Sequence, residues 1–343
     1  MKPQLKYLGQ LLLFACFLLM VYPLIIAFGR TVFPASYMRN VPYPVGGYGH
    51  THTRVSEAET TGKVEILFLG SSHAYRGFDT RIWKARGFTS FNYGTSAQTP
   101  LQSELLFTSS LTTLQPKVLI MEVNPILFTN DGVESTLDLI ANRPIDMATV
   151  CMVYREEHIK TTNALLYGVL RQSIGFDKNL REAAAEDNAL YIPGGFVERT
   201  KGSFTPEEEA VDKVAEEYAT SQIEAFERLL GTAHSAGIQV LLIEAPVTNF
   251  VYGKMQQPQR QFESFMDFMA ANSKFLNMNG KVALSDSLHF SDGHHLNQAG
   301  VELFNAALID TLIGRGWLPR NRSNEIQGNS RSIGSPSDGS IQQ

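Results

Sequence analysis

Residues Val64 to Leu69 read VEILFL, a short apolar run that stops abruptly at Gly70-Ser71-Ser72. A run so short and so continuously apolar suits a strand buried on both faces, and the Gly-Ser-Ser that follows suits a tight turn into a helix. Three more runs repeat the pattern: Phe88 to Tyr93, Lys117 to Val123 (KVLIMEV) and Ile238 to Glu244 (IQVLLIE). Helical stretches separate them. Pro100 to Leu114 is one, and Glu207 to Ala236 is another, opened by Thr205-Pro206-Glu207-Glu208, a capping box with proline at the first helical position. A third covers Asn297 to Ile313, where Val301, Phe304, Leu308 and Leu312 fall on one face. Strands that alternate with helices predict an α/β sandwich with a mainly parallel sheet. No internal repeat is present.

The chain of 343 residues has room for one large domain or two smaller ones, and its 43% hydrophobic content fills a core without disulfides or a structural metal. Its 29 basic and 34 acidic side chains give a net charge of −5, so bulk charge recruits no nucleic acid. Cys16 and Cys151 are too few and too far apart for a disulfide framework.

From Leu8 to Phe28 the sequence carries no charge, long enough as a helix to cross a hydrocarbon core of about 30 Å. The expectation is an uncleaved single-pass anchor over 1–32. Lys2 and Lys6 remain cytoplasmic, and the rest of the chain is periplasmic or extracellular. A cleaved signal peptide is the rival. The apolar run is longer than a signal peptide needs and lacks a small-x-small site after it. Residues 33–60, rich in Pro, Gly, Tyr and Thr, read as a linker, and 317–343 read as a disordered tail. Between them, 61–316 form the α/β domain. The stretch 128–206 interrupts its alternation with mostly helical sequence, such as Thr161 to Gln172 and Asn179 to Ala185. An insertion there serves either as a substrate-shaping cap or as a plain helical layer.

Two places carry possible chemistry. The first is Leu69-Gly70-Ser71-Ser72-His73. A serine at a strand-to-helix turn stands above the sheet, where backbone N–H groups and the helix dipole stabilise an oxyanion. Gly-Ser-Ser at such a turn also serves as an ordinary helix cap. The second is Asp286-Ser-Leu-His289-Phe-Ser-Asp292-Gly-His294-His295-Leu-Asn-Gln-Ala-Gly. Asp292 and His295, three apart, can set a carboxylate on one imidazole nitrogen and turn the other toward a serine. The same residues can instead cap a helix, or gather His289, His294, His295, Asp286 and Asp292 around a metal.

Taken together, Gly-x-Ser after the first strand and Asp-x-x-His-Leu-Asn-x-x-Gly before the last helix resemble the SGNH (GDSL-like) hydrolases over about residues 61–316. The resemblance implies a flavodoxin-like three-layer α/β/α sandwich with Ser72 as nucleophile, His295 as base and Asp292 as its orienting carboxylate. It also implies an oxyanion hole made from the Ser72 N–H, a backbone N–H at Gly94 or Ala97, and the side-chain amide of Asn124. The middle blocks depart from the family pattern: the usual Gly-x-Asn-Asp is replaced by Glu122-Val123-Asn124-Pro125, and Ser71 stands where Asp is common. No cofactor or catalytic metal is implied.

The anchor and this domain together resemble a subgroup of envelope proteins that includes the teichoic acid D-alanyl transfer and alginate O-acetylation proteins. Those act beside membrane-bound O-acyltransferases, so the implied substrate is an acylated envelope glycan or lipid and the implied reaction is ester hydrolysis or acyl transfer. Arg76, just after the serine, could hold an anionic substrate group or pair with Asp79. The competing functions are a metal-dependent hydrolase and a glycan-binding scaffold without catalysis.

Overall fold

The computed structural model describes residues 3–32, 44–47, 49–175, 181–186, 188–199, 202, 204–205, 217–270 and 273–320. The strands in chain order are β1 (Ile66–Leu69), β2 (Ser90–Asn92), β3 (Val118–Glu122), β4 (Ala185–Glu186), β5 (Ala189–Ile192), β6 (Phe196–Arg199), β7 (Gln239–Glu244) and β8 (Lys274–Asn277). Five of them form one parallel sheet in the order β2-β1-β3-β7-β8. β4, β5 and β6 form a separate antiparallel sheet.

The parallel sheet is buried on both faces because its strands alternate between two cores. Leu67, Leu69, Leu119, Met121, Val240 and Leu242 face one core, with Leu106, Phe226 and Phe262 from the helices Pro100–Leu114, Thr220–Ser235 and Gln256–Met269. Ile66, Phe68, Ile120, Leu241 and Ile243 face the other, with Trp83 and Phe304 from the helices Thr80–Ala85 and Gln298–Gly314. The result is the expected three-layer α/β/α sandwich. Each fully buried Leu, Ile or Phe contributes about 1.5–3 kcal/mol. Val301, Phe304, Leu308 and Leu312 are all buried, as their spacing predicts.

In this strand order the chain leaves β1 toward β2 on one side and then crosses to β3 on the other. The crevice at the C-terminal ends of β1 and β3 is therefore the topological switch point where α/β sheets bind ligands. The edge strand β8 is not legible in the sequence, because Lys274 and Phe275 are only half-buried and no apolar run marks it.

Several boundaries differ from the sequence expectation. The second half of the expected linker is a helix, Thr51–Thr60, with Thr51, Arg54, Val55 and Ala58 buried at i, i+3, i+4 and i+7. Two of those inward positions are polar, and the Thr51 hydroxyl donates to Asp138 at 2.6 Å, so hydrophobic patterning missed the helix. The insertion holds the helices Val133–Asn142, Met147–Glu156 and Ile159–Ser173, but β4 to β6 are strands, and Ala185 belongs to β4 rather than to a helix. Of the expected Glu207–Ala236 helix, only Thr220–Ser235 is helical among the described residues: 217–219 are not helix, and Ala219 is extended. The capping box at 206–208, most of the linker at 33–43 and the tail at 321–343 lie outside the described residues. Leu318, assigned to the tail, is buried in the core.

The N-terminal helix runs Pro3–Val32, and Gln4–Ile26 within it is long and apolar enough to cross a membrane. Its far end touches the domain: Tyr22 donates to Asn163 Oδ1 at 2.6 Å, and Ile26 packs on Leu166 and Tyr167. Cys16 and Cys151 are both free thiols.

Candidate active site

Ser72 is the first residue of a short helix, Ser72–Gly77, that starts directly after β1. Gly70 makes the turn at φ +136°, and a Cβ there would lie 2.6 Å from the Glu122 Cβ, so only glycine fits. The capping role falls to Ser71, whose Oγ accepts the His73 N–H at 3.2 Å. That leaves the Ser72 side chain uncommitted to the helix end. The Ser72 N–H, at the first helical position, precedes any intrahelical acceptor.

The second motif forms a braced loop between β8 and the last helix. Phe290 and Leu296 close it with an antiparallel bridge. The Ser291 N–H donates to the His295 carbonyl at 2.8 Å, and the Thr248 N–H and hydroxyl donate to the Gly293 carbonyl at 3.1 and 3.0 Å. Within this loop Asp292 Oδ1 accepts the N–H groups of His294 and His295 at 3.0 and 2.8 Å. The same carboxylate meets His295 Nδ1 at 2.8 and 2.9 Å. On the opposite side of the ring, His295 Nε2 lies 2.7 Å from Ser72 Oγ. Asp292 therefore braces the loop and holds the imidazole with one group, whereas the helix-capping alternative is not met by this pair: Asn297 caps the last helix, its Oδ1 accepting the Gly300 N–H at 3.1 Å.

The electrostatics suit a neutral imidazole. Burial lowers the His295 pKa to about 4, outweighing the hydrogen bond to Asp292, which raises it, and the Arg76 charge lowers it further. At neutral pH the ring is uncharged, with Nδ1–H donating to Asp292 and Nε2 free to accept from the serine. Burial pushes the Asp292 carboxyl up, but His295 and the two backbone N–H groups more than offset this and hold it well below the usual carboxylate range.

The proposed oxyanion donors are arranged unevenly. The Gly94 N–H is engaged, donating to Asn92 Oδ1 at 3.2 Å. Ala97 sits in the same loop in the left-handed region at φ +47°. Asn124 caps the helix Pro125–Thr129 through Oδ1 and donates from Nδ2 to Glu122 Oε1 at 2.7 Å, and the same Nδ2 stands 3.5 Å from His73 Nδ1.

Glu122 and His73 are the residues that sequence reasoning passed over. Glu122 is fully buried at the end of β3 and accepts the N–H and the hydroxyl of Ser71, each at 2.9 Å. His73 Nδ1 lies 3.5 Å from its other oxygen. Burial pushes this carboxyl up, but the contacts with His73, Ser71 and Asn124 prevail and keep it below its ordinary value. The available signal was a lone acidic residue in the apolar run KVLIMEV.

The expected pairing of Arg76 with Asp79 does not form. Asp79 instead caps the next helix and takes Arg81 at 2.7 Å and Gln298 at 3.2 Å. The five residues of the metal alternative are not gathered either. Asp286 caps the helix Asn249–Lys254 through the N–H groups of Asn249 and Phe250, and His289 Nδ1 accepts the Ser285 N–H at 2.7 Å. Among the described residues no three His, Cys, Asp or Glu side chains group as metal ligands. A cleft of about 20 Å³ abuts the site, lined by His73, Asn124, Ala245, Val247, Tyr252 and His294 among others. It has room for about one water-sized group.

No family model matches this chain, and no curated protein matches it. Among solved structures it is similar to a GDSL-like lipase from Bacteroides thetaiotaomicron, at 12% identity and a TM-score of 0.38, covering 77% of this chain and 98% of that one. It is also similar to a two-domain esterase active on acetylated mannans, at 12% identity and a TM-score of 0.34, covering 75% of this chain and 50% of that one.

Proposed function

We propose that this chain is a membrane-anchored serine esterase or O-acyltransferase of the SGNH type, acting outside the cytoplasm on an acylated envelope glycan or lipid. One observation carries the reading: His295 Nε2 stands 2.7 Å from Ser72 Oγ while Asp292 holds Nδ1 at 2.8 Å. That is the geometry of a nucleophile, a base and an orienting acid.

In this mechanism Ser72 Oγ attacks the ester carbonyl carbon and its proton passes to His295 Nε2. The carbonyl oxygen becomes an oxyanion facing the Ser72 N–H, the Ala97 N–H and the Asn124 amide group, which exchanges its 3.5 Å contact with His73 Nδ1 for the oxyanion. The bond to the leaving alkoxide then breaks as His295 returns the proton to it, leaving an acyl group on Ser72. A water or a sugar hydroxyl gives its proton to His295 and attacks the acyl carbon, and the acyl–Oγ bond then breaks as His295 passes that proton to Ser72 Oγ, regenerating the serine and the neutral ring. Water yields hydrolysis, and a hydroxyl acceptor yields transfer. The motif order in the sequence and the parallel sheet support the SGNH assignment. The apolar Gln4–Ile26 helix supports the anchor, and the resemblance to envelope O-acylation proteins supports a membrane-bound O-acyltransferase as partner.

The test is covalent labelling of the full chain in detergent with a fluorophosphonate. Ser72→Ala should abolish labelling, and His295→Ala should slow it by about a hundredfold or more, since an unactivated hydroxyl is a poor nucleophile. Equal labelling of folded wild type and Ser72→Ala would sink the assignment.

A further inference from the structure

The insertion's small sheet delivers a second arginine to the serine. Alternation along β6 sends Phe196 into the sandwich core and Glu198 to Arg81 at 2.6 Å, while Val197 packs with Tyr75 of the Ser72–Gly77 helix. Arg199 shares the face of Val197, and its Nη2 lies 4.0 Å from Asp292 Oδ2. The hairpin that carries it is firmly seated. The Asn92 N–H donates to the Gly194 carbonyl at 2.8 Å, the buried Arg54 Nε to the Gly195 carbonyl at 2.9 Å, and the Gly194 N–H to Glu57 at 2.8 Å.

Arg76 follows Tyr75 on the same helix, with its guanidinium carbon 5.3 Å from the Tyr75 ring centre. Its Nε is buried without a hydrogen-bond partner, and it makes no ion pair among the described residues. Asp292, which Arg199 approaches, is already committed to His295 and two backbone N–H groups. Burial and the Arg76 charge both hold the Arg199 guanidinium below the usual arginine range, and the same Arg76 charge reaches His295. Arg76 thus lies four residues after Ser72 on the same short helix, and Arg199 reaches the Asp292 that holds the His295 ring. His73 lies 5.4 and 5.9 Å from the His295 and His294 rings, while the nearby carboxylates of Asp292 and Glu122 are already engaged. Two guanidiniums without a full counter-charge, one held by a rigid hairpin, match an oxyacid anion.

We infer that Arg76 and Arg199 form an anion-binding fork beside Ser72, and that the acylated substrate carries a carboxylate or phosphate held there. The word substrate rests on the esterase or acyltransferase reading; the fork itself does not.

Binding to the full-length Ser72→Ala chain in detergent, measured by calorimetry, separates the two. The probes are methyl glucuronide for a carboxylate, glycerol 3-phosphate for a phosphate and methyl glucoside as the neutral control. At least one anion should bind about tenfold or more tighter than the glucoside, and the tighter of the two identifies the oxyacid. Arg76→Gln and Arg199→Gln should each remove most of that preference, and Arg76→Lys and Arg199→Lys should restore part of it. Unchanged thermal midpoints exclude misfolding. No saturable binding of either anion, equal affinity for the glucoside, or indifference to both Gln variants overturns the fork. In a Ser72-active background, acetyl esters of the same compounds should lose kcat/KM in the Gln variants about tenfold more for the anionic ester than for the neutral one. Arginine-dependent anion binding without any fluorophosphonate labelling of Ser72 would leave the fork standing and remove the serine mechanism.

Discussion

Glu122 accepts both the backbone N–H and the hydroxyl of Ser71, from a site with no solvent exposure. This buried carboxylate locks the turn that presents Ser72, and Asn124 at 2.7 Å satisfies its other oxygen. Removing one partner of such a group costs more than the bond contributes, because the rest are left unsatisfied. Glu122→Gln points an amide N–H₂ at existing donors, and stability should fall by about 3 kcal/mol in chemical or thermal unfolding.

The same carboxyl sets a pH dependence. Its folded pKa lies below its ordinary value, so its stabilisation is fully present above the unfolded value of about 4.3 and fades as pH falls toward the folded value. Unfolding midpoints should therefore drop on acidification below about pH 5, and the Glu122→Gln chain should show a shallower drop. Identical slopes for the two chains would remove Glu122 from this role.

Ser71 and Ser72 divide capping from chemistry. Ser71→Ala deletes the acceptor for the His73 N–H and a donor to Glu122, so it should cost about 1–2 kcal/mol of stability. It should nevertheless leave fluorophosphonate labelling within about tenfold of wild type, as measured by time-resolved mass spectrometry of the intact chain. Loss of labelling in a folded Ser71→Ala chain would reverse the assignment of the two serines.

The acid limb of the activity profile reports His295. Burial lowers its pKa to about 4, so the neutral, proton-accepting ring persists down to that pH and is lost only as pH falls through it. On a short acyl ester, kcat/KM should be flat through neutrality and fall with an inflection near 4, not near 6.5 as for an ordinary histidine. Asp292→Asn leaves an Oδ1 for the His294 and His295 N–H groups but turns an amide N–H toward Nδ1 and favours the wrong tautomer, so kcat should fall about a thousandfold or more. An inflection near 6.5 in the wild type would show that the ring is not buried during turnover.

Legibility followed chemistry that is local in sequence. The helix Pro100–Leu114 is predicted to its ends, because Thr99, Pro100 and Gln102 form a complete capping box at its start. Asp292 and His295 were legible because they stand three positions apart, and Ser72 because a strand ends at Gly70. Their meeting across 223 residues was available only through the resemblance. Glu122 was hidden by its apolar run, where a single acid reads as a strand terminus. β5 and β6 were hidden because four-residue strands give too little alternation to count. The helix Thr51–Thr60 was hidden because Arg54, a residue expected in water, is buried and donates to the Gly195 carbonyl 141 positions away.

That last contact points to the most sensitive position in the insertion. Gly195 lies at φ +90°, where a side chain is strained, and a Cβ there would fall 1.9 Å from the Asn92 carbonyl oxygen. Gly195→Ala must therefore push the β5–β6 hairpin off the edge of the parallel sheet at β2, losing the Arg54 contact and moving Arg199 with it. The expected result is a loss of about 2 kcal/mol or more in stability and a weaker preference for anionic over neutral esters, with Ser72 still reactive to fluorophosphonate because its turn is held by Glu122. Gly231→Ala is the control: it lies in a helix with nothing within 4 Å of the added Cβ and should stabilise the chain by up to about 1 kcal/mol. Differential scanning fluorimetry gives the first comparison and the ratio of kcat/KM values the second. A Gly195→Ala chain as stable and as selective as wild type would mean that the hairpin does not position Arg199.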